Sequence, residues 1–541
     1  MMAITEQQFN RLDYALGRFL AQRSKLENRQ KVLFEQLVAK LNFDLGNGHS
    51  CIAVNAEQQD LLQASGMASS DQKSPLILEN GRLYFYRYWC YEKRLAERVL
   101  KLVEQANVLP NLEGLLARYF PESTDTVDWQ RVAVSRAVGQ SFSIITGGPG
   151  TGKTTTVVKL LALIVELSAQ ELNIALVAPT GKAAMRLQEA IVQNKQRLPC
   201  DQEIEQRIPE TVTTIHRLLG TRPPSPYFIH DADNPLPYDL IVVDEASMVD
   251  LALMTKLVDA LHTNAGIILL GDKDQLASVE SGAVLADMTL ALPEHAHELK
   301  TAYRFNNDIR ALADAVNQQD SQFAWHLLMD QQQVNTCVLD KDLINYIVDQ
   351  LQEYWHLVNS GAEVKELFRC FSRFQVLCVN RNGANSVSDI NVRIEKQFLE
   401  SFNEQWYVGR PIMIARNHAG MQLYNGDIGI CLANPEQDNR LMVYFERPDG
   451  SVKKFLPSRL PSCETVFAMT IHKSQGSEFN EVLIVLPDRM NPILTKELVY
   501  TGITRAREYV KIVTSKEIFE KTLQQKVFRM GGLAQRLQHH N

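Results

Sequence analysis

Phe142-Ser-Ile-Ile-Thr-Gly147-Gly-Pro-Gly-Thr-Gly-Lys153-Thr154 is the stretch on which the reading of this 541-residue chain turns. A short apolar run ends in Gly147 to Thr154, which matches G-x-x-x-x-G-K-[ST], and Thr155-Thr-Val-Val-Lys-Leu-Leu continues with helical apolar spacing. Strand, glycine-rich loop and helix in that order build a phosphate cradle. Gly147, Gly148, Pro149, Gly150, Thr151 and Gly152 let backbone N–H groups turn inward, and the helix N-terminus adds positive potential. Lys153 then reaches the β- and γ-phosphates of ATP, and the Thr154 hydroxyl ligates Mg²⁺.

About ninety residues on, Leu240-Ile-Val-Val-Asp244-Glu245 is an apolar strand ending in adjacent carboxylates. Acidic residues at a strand end also serve as helix caps. Behind a phosphate loop in the same α/β unit, Asp244 is instead expected to hold Mg²⁺ and Glu245 to activate the water that attacks the γ-phosphate. These two motifs establish a nucleoside triphosphatase and nothing narrower.

Around them, apolar runs at Phe142 to Thr146, Ile174 to Ala178, Leu240 to Val243 and Ile267 to Leu270 alternate with helical stretches, as in a parallel sheet covered by helices. Residues 126–298 form this first unit, with a small insertion at about 221–237. From 386 to 462 short alternating strands take over, separated by turns at Asn425-Gly426-Asp427 and Pro448-Asp449-Gly450, which predicts a small antiparallel barrel. The α/β pattern resumes at Glu481-Val-Leu-Ile-Val-Leu, so the barrel is inserted into a second α/β unit made of 299–385 and 463–541. Residues 1–125 carry no readable chemistry. Apolar periodicity at Phe9 to Leu20 and Lys31 to Leu41, and an Asn80-Gly81 hairpin, predict a small mixed domain there.

Composition narrows the class. The length exceeds what one core supports, and three to four domains are expected. No apolar run is long enough to span a membrane, and the amino terminus lacks the pattern of a secretion signal, so a cytoplasmic protein without membrane partners is expected. Eight cysteines without a C-x-x-C pair read as free thiols rather than metal ligands. A net charge of −7 does not draw in a polyanion by itself, so nucleic-acid contacts must come from a local groove.

Further motifs follow in order: Ala178-Pro-Thr180-Gly-Lys182, Leu270-Gly-Asp272-Lys-Asp-Gln275, Tyr303-Arg304-Phe305, Thr470-Ile-His472-Lys-Ser-Gln475-Gly-Ser-Glu478-Phe and Val499-Tyr-Thr501-Gly-Ile-Thr504-Arg505-Ala-Arg507. Together they resemble motifs Ia, III, IV, V and VI of superfamily 1 helicases. Gln275 suits a γ-phosphate sensor, and Arg304 and Arg505 suit arginine fingers reaching in from the second unit. A lone arginine is more often a surface ion-pair partner; its place in these motifs reverses the odds. Single-stranded nucleic acid is expected across both units, against Thr180, Lys182, Thr214, His216, Thr470 and His472. His216 and His472 taken singly are as readily core histidines. Gln130 resembles the glutamine with which such helicases read adenine.

The resemblance narrows to the RecD family, through Ile145 to Thr156, Ala178 to Ala184, Thr214-Ile-His-Arg-Leu-Leu-Gly, Val243-Asp-Glu-Ala-Ser-Met, Ala468 to Phe479 and Glu497 to Ala506. Gly409-Arg-Pro-Ile-Met with Asn425-Gly-Asp-Ile-Gly resembles that family's inserted SH3-like domain. The resemblance implies two RecA-like P-loop domains, an SH3-like β-barrel between the halves of the second, and a small amino-terminal domain that docks on a partner. It also implies an ATP- and Mg²⁺-dependent 5′-to-3′ DNA helicase subunit acting at duplex ends, in a heterotrimer with RecB-like and RecC-like subunits, the nuclease site lying on the RecB-like subunit. On that reading a fragment lacking the first 120 or so residues keeps its nucleotide site but cannot assemble. A stand-alone helicase of the same family, a helicase acting on RNA and a P-loop ATPase that switches a scaffold are the alternatives.

Overall fold

Strands buried on both faces sit only inside a parallel sheet covered by helices, and the computed structural model contains two such sheets. It describes residues 9–538 apart from 71–72, 106–111, 122–126, 169, 279, 302–306, 331, 333–334, 340–341, 399–404 and 448–449. The first sheet runs Ala296–Glu298, Phe142–Thr146, Gly266–Gly271, Leu240–Val243, Ile174–Ala178, Val212–Thr214, with every pairing parallel. All residues of Phe142–Thr146, Ile174–Ala178 and Leu240–Val243 are buried, as continuous apolar runs require. The strand carrying the phosphate loop therefore lies two places from the strand ending in Asp244. Their carboxyl ends open on one crevice, where an open α/β sheet binds ligands.

The second sheet runs Thr336–Val338, Ala506–Val513, Phe479–Val485, Phe374–Cys378, Ala468–Thr470, again all parallel. Between its halves lies a five-stranded antiparallel sheet in the order Val452–Phe455, Arg440–Glu446, Ile428–Asn434, Pro411–Ile414, Cys463–Thr465. Ile412, Ile414, Leu423, Cys431, Val443 and Phe445 form its small core. Its limits differ from the expected 386–462. The Val387–Phe398 helix buries Val387, Ile390 and Ile394 in the core of the second α/β unit, and Cys463–Thr465 pairs with Pro411–Ile414. An amphipathic helix beside alternating strands gives no sequence signal of which core its apolar face joins.

A larger difference concerns residues 1–125. Their first part is a unit of its own: helices Arg11–Arg23 and Asn28–Gly46 against a sheet ordered Cys51–Ala53, Arg82–Phe85, Leu76–Glu79, Ala68–Ser69, with the hairpin turn at Asn80 and Gly81 in left-handed backbone. The Tyr86–Val103 helix, however, buries Tyr91, Leu95, Val99 and Leu102 in the same cluster as Leu253, Leu257, Leu285 and Met288 of the first α/β unit. Leu116, Tyr119 and Phe120 join the cluster on that unit's other face, against Val157, Leu160 and Leu161 of the phosphate-loop helix. The chain's far end returns here as well. Leu533 and Leu537 complete the first cluster, although they follow the second unit in sequence.

Polar contacts fix this junction. Glu92, 1% exposed, accepts from Ser50 Oγ at 2.5 Å and from the Gly532 amide at 3.0 and 3.1 Å, with Arg536 Nε 3.5 Å away. Burial pushes its carboxyl up while these partners hold it down. Arg529 donates to the carbonyl oxygens of Ser278, Glu280 (2.8 Å) and Gly282 (2.9 Å), and Gly282 in turn donates to Gly48 (2.9 Å). The tail thus ties the amino-terminal unit to the first α/β unit.

The expectation that a fragment starting near residue 121 keeps its nucleotide site is accordingly replaced. Such a cut removes Leu95, Val99, Leu116, Tyr119 and Phe120 from two cores, and truncating even one such leucine to alanine typically costs about 2–5 kcal/mol. The 121–541 fragment is expected to aggregate, read as loss of soluble monomer in size-exclusion chromatography. A soluble monomer that binds ATP would show both helices to be dispensable.

Candidate nucleotide and nucleic-acid site

The loop after Phe142–Thr146 turns because Gly150 and Gly152 adopt φ of 76° and 81°, which L side chains rarely tolerate. At Gly147 close packing matters instead: a Cβ there would lie 2.8 Å from Thr151 Oγ1 and 3.0 Å from the Leu299 carbonyl. Lys153 opens the Lys153–Leu167 helix, and its Nζ donates to the carbonyls of Gly147 (2.7 Å) and Gly148 (3.0 Å). Its charge is thus held over its own loop by neutral acceptors. Gly150, Gly152, Lys153, Thr154, Asp244, Glu245 and Gln275 line a cavity of about 130 Å³.

Asp244 follows the Leu240–Val243 strand, and Glu245 sits at φ 50°, ψ 41°, a left-handed conformation that costs a non-glycine residue energy and recurs at functional sites. That turn lets the Glu245 amide donate to Asp244 Oδ1 at 2.9 Å. Burial, and then the Glu245 charge, push the Asp244 carboxyl above its usual range, against the pull of Glu245's amide and of Lys153. A bound divalent cation reverses such a shift. The Thr154 hydroxyl and the Asp244 carboxylate are hard oxygen donors on the same cavity, a set that fits magnesium held partly through water.

The second α/β unit supplies the opposite wall through Gly476, Glu478 and Arg505. Arg505, 3% exposed, donates to the Thr501 carbonyl (3.1 Å), the Ser477 carbonyl (3.4 Å) and Thr504 Oγ1 (3.4 Å). Among the described residues no carboxylate lies within ion-pair distance of it. Burial lowers its guanidinium, while Glu245 and Glu478 act the other way; an arginine stays charged regardless. Gln275 donates to Asp272 Oδ2 at 2.9 Å, and the same oxygen accepts from Tyr500 of the second unit at 3.1 Å. Leu276 N donates to Thr501 Oγ1 (3.0 Å), and Gln475 Nε2 to the Leu276 carbonyl (3.0 Å). The sensor segment is therefore stitched to the second unit on both sides. Arg304, the other expected finger, lies outside the described residues.

Gln130 is not on the cavity wall; its amide donates to the Thr151 carbonyl at 3.2 Å, bracing the loop from behind. Three residues that the motif reading passed over do line the cavity: Arg186, Asn194 and Glu478. Asn194 accepts from Thr155 Oγ1 at 2.9 Å. Arg186 had a signal, since it stands four residues beyond Lys182 on the Gly181–Lys195 helix and so shares its face.

Thr214 and Thr470 end strands, Thr180 lies two residues beyond one, and each caps the helix or turn that follows, their hydroxyl oxygens accepting from Arg217, Lys473 and Ala183 amides. An accepting hydroxyl keeps its proton free to donate to a phosphate oxygen. Thr214-Ile215-His216 and Thr470-Ile471-His472 repeat one arrangement in the two units: capping threonine, fully buried isoleucine, histidine beyond. His216 is exposed and stands edge-on to Phe228, with ring centres 5.8 Å apart. His472 is half-buried, and burial, then Arg529, lower its basicity. Lys182 faces the inserted sheet. Burial and Arg186 lower its ammonium to about 8, opposed by Asp427, and a Cβ on neighbouring Gly181 would lie 2.9 Å from the Tyr424 ring.

Residues 130–281 match the profile of the AAA domain, and 465–513 that of a UvrD-like helicase C-terminal domain. The chain is 35% identical over 538 residues to the RecBCD enzyme subunit RecD of Haemophilus influenzae, covering 87% of this chain and 82% of that one. It is 38% identical to the RecBCD enzyme subunit RecD of Mycolicibacterium smegmatis, covering 86% and 84%. To the ATP-dependent RecD2 DNA helicase of Deinococcus radiodurans it is 29% identical, covering 81% of this chain and 57% of that protein.

Two substitutions separate the roles at this cavity. Glu245→Gln is expected to bind ATP yet hydrolyse it slowly, because water activation is lost and the magnesium carboxylate of Asp244 is kept. Arg505→Ala is expected to lose about 10³-fold in turnover with little change in ATP affinity, as for a contact made mainly in the transition state. Steady-state hydrolysis and equilibrium nucleotide binding check both. A variant of Glu245 that no longer binds ATP, or one of Arg505 with normal turnover, contradicts the assignment.

Proposed function

The chain belongs to the RecD family, and from that premise we propose that it is the ATP-driven 5′-to-3′ DNA helicase subunit of a RecBCD-type enzyme, assembled with RecB-like and RecC-like subunits at double-strand DNA ends. The observation that carries the reading is Arg505: a buried guanidinium from one α/β unit, facing a phosphate loop on the other, with only neutral partners among the described residues. A triphosphate supplies the missing anion, and the gain from satisfying that charge draws the two units together. Hydrolysis removes the γ-phosphate and with it the pull. Nucleotide turnover becomes movement of one unit against the other.

In this reading Lys153 and the cradle from Gly147 to Gly152 bind the phosphates. Thr154 and Asp244 would hold Mg²⁺, which screens the phosphate charge, and Glu245 takes the proton of the attacking water. Gln275 reports the γ-phosphate through Asp272 and Tyr500 to the second unit. The strand runs over the paired threonine caps at Thr180, Thr214 and Thr470, with His216 and His472 beside them, and the two units act as RecA-like domains. The antiparallel insertion serves as an SH3-like domain over Lys182. Among the described residues no helix is long and apolar enough to cross a membrane.

Purified chain is expected to hydrolyse ATP faster with single-stranded DNA than with RNA or none. With RecB-like and RecC-like subunits it is expected to co-purify in equal amounts and to unwind duplexes bearing a 5′ tail. ATP turnover indifferent to nucleic acid would favour a switch over a motor, and unwinding only from 3′ tails would reverse the polarity.

A further inference from the structure

Among the described residues three cations line the nucleotide cavity, and they are not held alike. Lys153 and Arg505 meet neutral oxygens. Arg186, reaching in from the Gly181–Lys195 helix, is instead paired across the cleft with Glu478 of the second unit, at 2.5 Å. Glu478 is itself shared: its Oε2 accepts from Arg507 Nε and Nη2 at 3.1 and 3.0 Å, while its Oε1 meets Arg186.

An ion pair inside a binding cavity is expensive to desolvate and is kept only if its geometry or its use compensates. Here one partner can leave without stranding the other. If Arg186 turns away, Glu478 keeps the bonds from Arg507, whose side chain is more than half exposed and loses little solvation by holding it. Burial pushes the Glu478 carboxyl up, but Arg186 and Arg507 outweigh it and hold it down at about 2, so it is ionised throughout the working range. Arg186 lines the same cavity as Asp244 and Glu245, whose carboxylates favour its charge. The same helix is capped by Thr180, about 9 Å away along its axis at 1.5 Å per residue, so one rigid element carries both Arg186 and a threonine of the proposed strand path.

Resting on the nucleotide-motor reading above, we propose that Arg186 is a phosphate-contacting residue that exchanges partners in each cycle. In the nucleotide-free chain Glu478 holds it; a nucleoside triphosphate takes it over, and the Gly181–Lys195 helix is released from the second unit. The exchange distinguishes triphosphate from diphosphate, because only the third phosphate reaches the Glu245 end of the cavity.

The exchange makes opposite predictions for the two halves of the pair. In the full chain with Mg²⁺, Arg186→Gln is expected to weaken a non-hydrolysable ATP analogue about tenfold or more while ADP changes less than about twofold. Glu478→Gln is expected to tighten the ATP analogue, because the competing carboxylate is gone, and the double variant is expected to behave like Arg186→Gln alone. Equal weakening of both nucleotides by Arg186→Gln, or weakening of the analogue by Glu478→Gln, would show a fixed tether and overturn the exchange. Should Arg186→Gln fail to fold, Glu478→Gln alone decides by the sign of its effect. A wild-type chain that binds neither nucleotide would instead remove the motor reading itself; wild-type binding with an unchanged Arg186→Gln removes only the exchange.

Discussion

A positive charge buried among neutral hydrogen-bond partners is the constraint around which the cleft is arranged. Arg505 is held at 3% exposure by carbonyl and hydroxyl oxygens alone among the described residues. Neutral acceptors satisfy its N–H groups but not its charge, and a buried charge is tolerated only if something compensates it. The compensation on offer is a polyphosphate in the loop of the other α/β unit. On the proposed function, domain closure and transition-state stabilisation draw on that interaction.

The two units must remain joined while the cleft between them works. The seam includes directional bonds such as Leu276 to Thr501, Gln475 to Leu276 and Tyr500 to Asp272, beside the packing of Leu276 into the second unit's core. Such bonds exchange partners at low net cost, because each is worth only about 1 kcal/mol against water. The first unit, by contrast, is completed by apolar packing. The Tyr86–Val103 helix and the tail leucines Leu533 and Leu537 are fused into its core, with the buried Glu92 fixing their register. Rigid attachment on one side and exchangeable contacts on the other suit a machine in which one unit is anchored and the other moves.

The repeated Thr-Ile-His arrangement shows how the two units present equivalent surfaces from unequal sequences. In each, a strand ends in a threonine that caps the next turn, and a buried isoleucine pins that turn to the sheet. The hydroxyl proton and the following histidine are left at the carboxyl edge. On the proposed function, two such edges offer a nucleic-acid strand one foothold per unit.

The sequence by itself determined the two parallel sheets and the nucleotide chemistry, because both are local. A buried strand is a continuous apolar run, and a phosphate loop is a fixed spacing of glycines, lysine and threonine, so Phe142 to Thr154 and Leu240 to Glu245 could be read without any partner. It also indicated the antiparallel insertion through its alternation and turns. Only the tertiary structure decided where these pieces belong. The Val387–Phe398 helix joins the second unit, Cys463–Thr465 the insertion, and residues 86–103, 112–120 and 533–537 the first unit. An apolar face announces that it will be buried, but not against what. The pairing of Arg186 with Glu478 was hidden for the same reason: 292 residues apart in the chain, they meet only where the two units face each other.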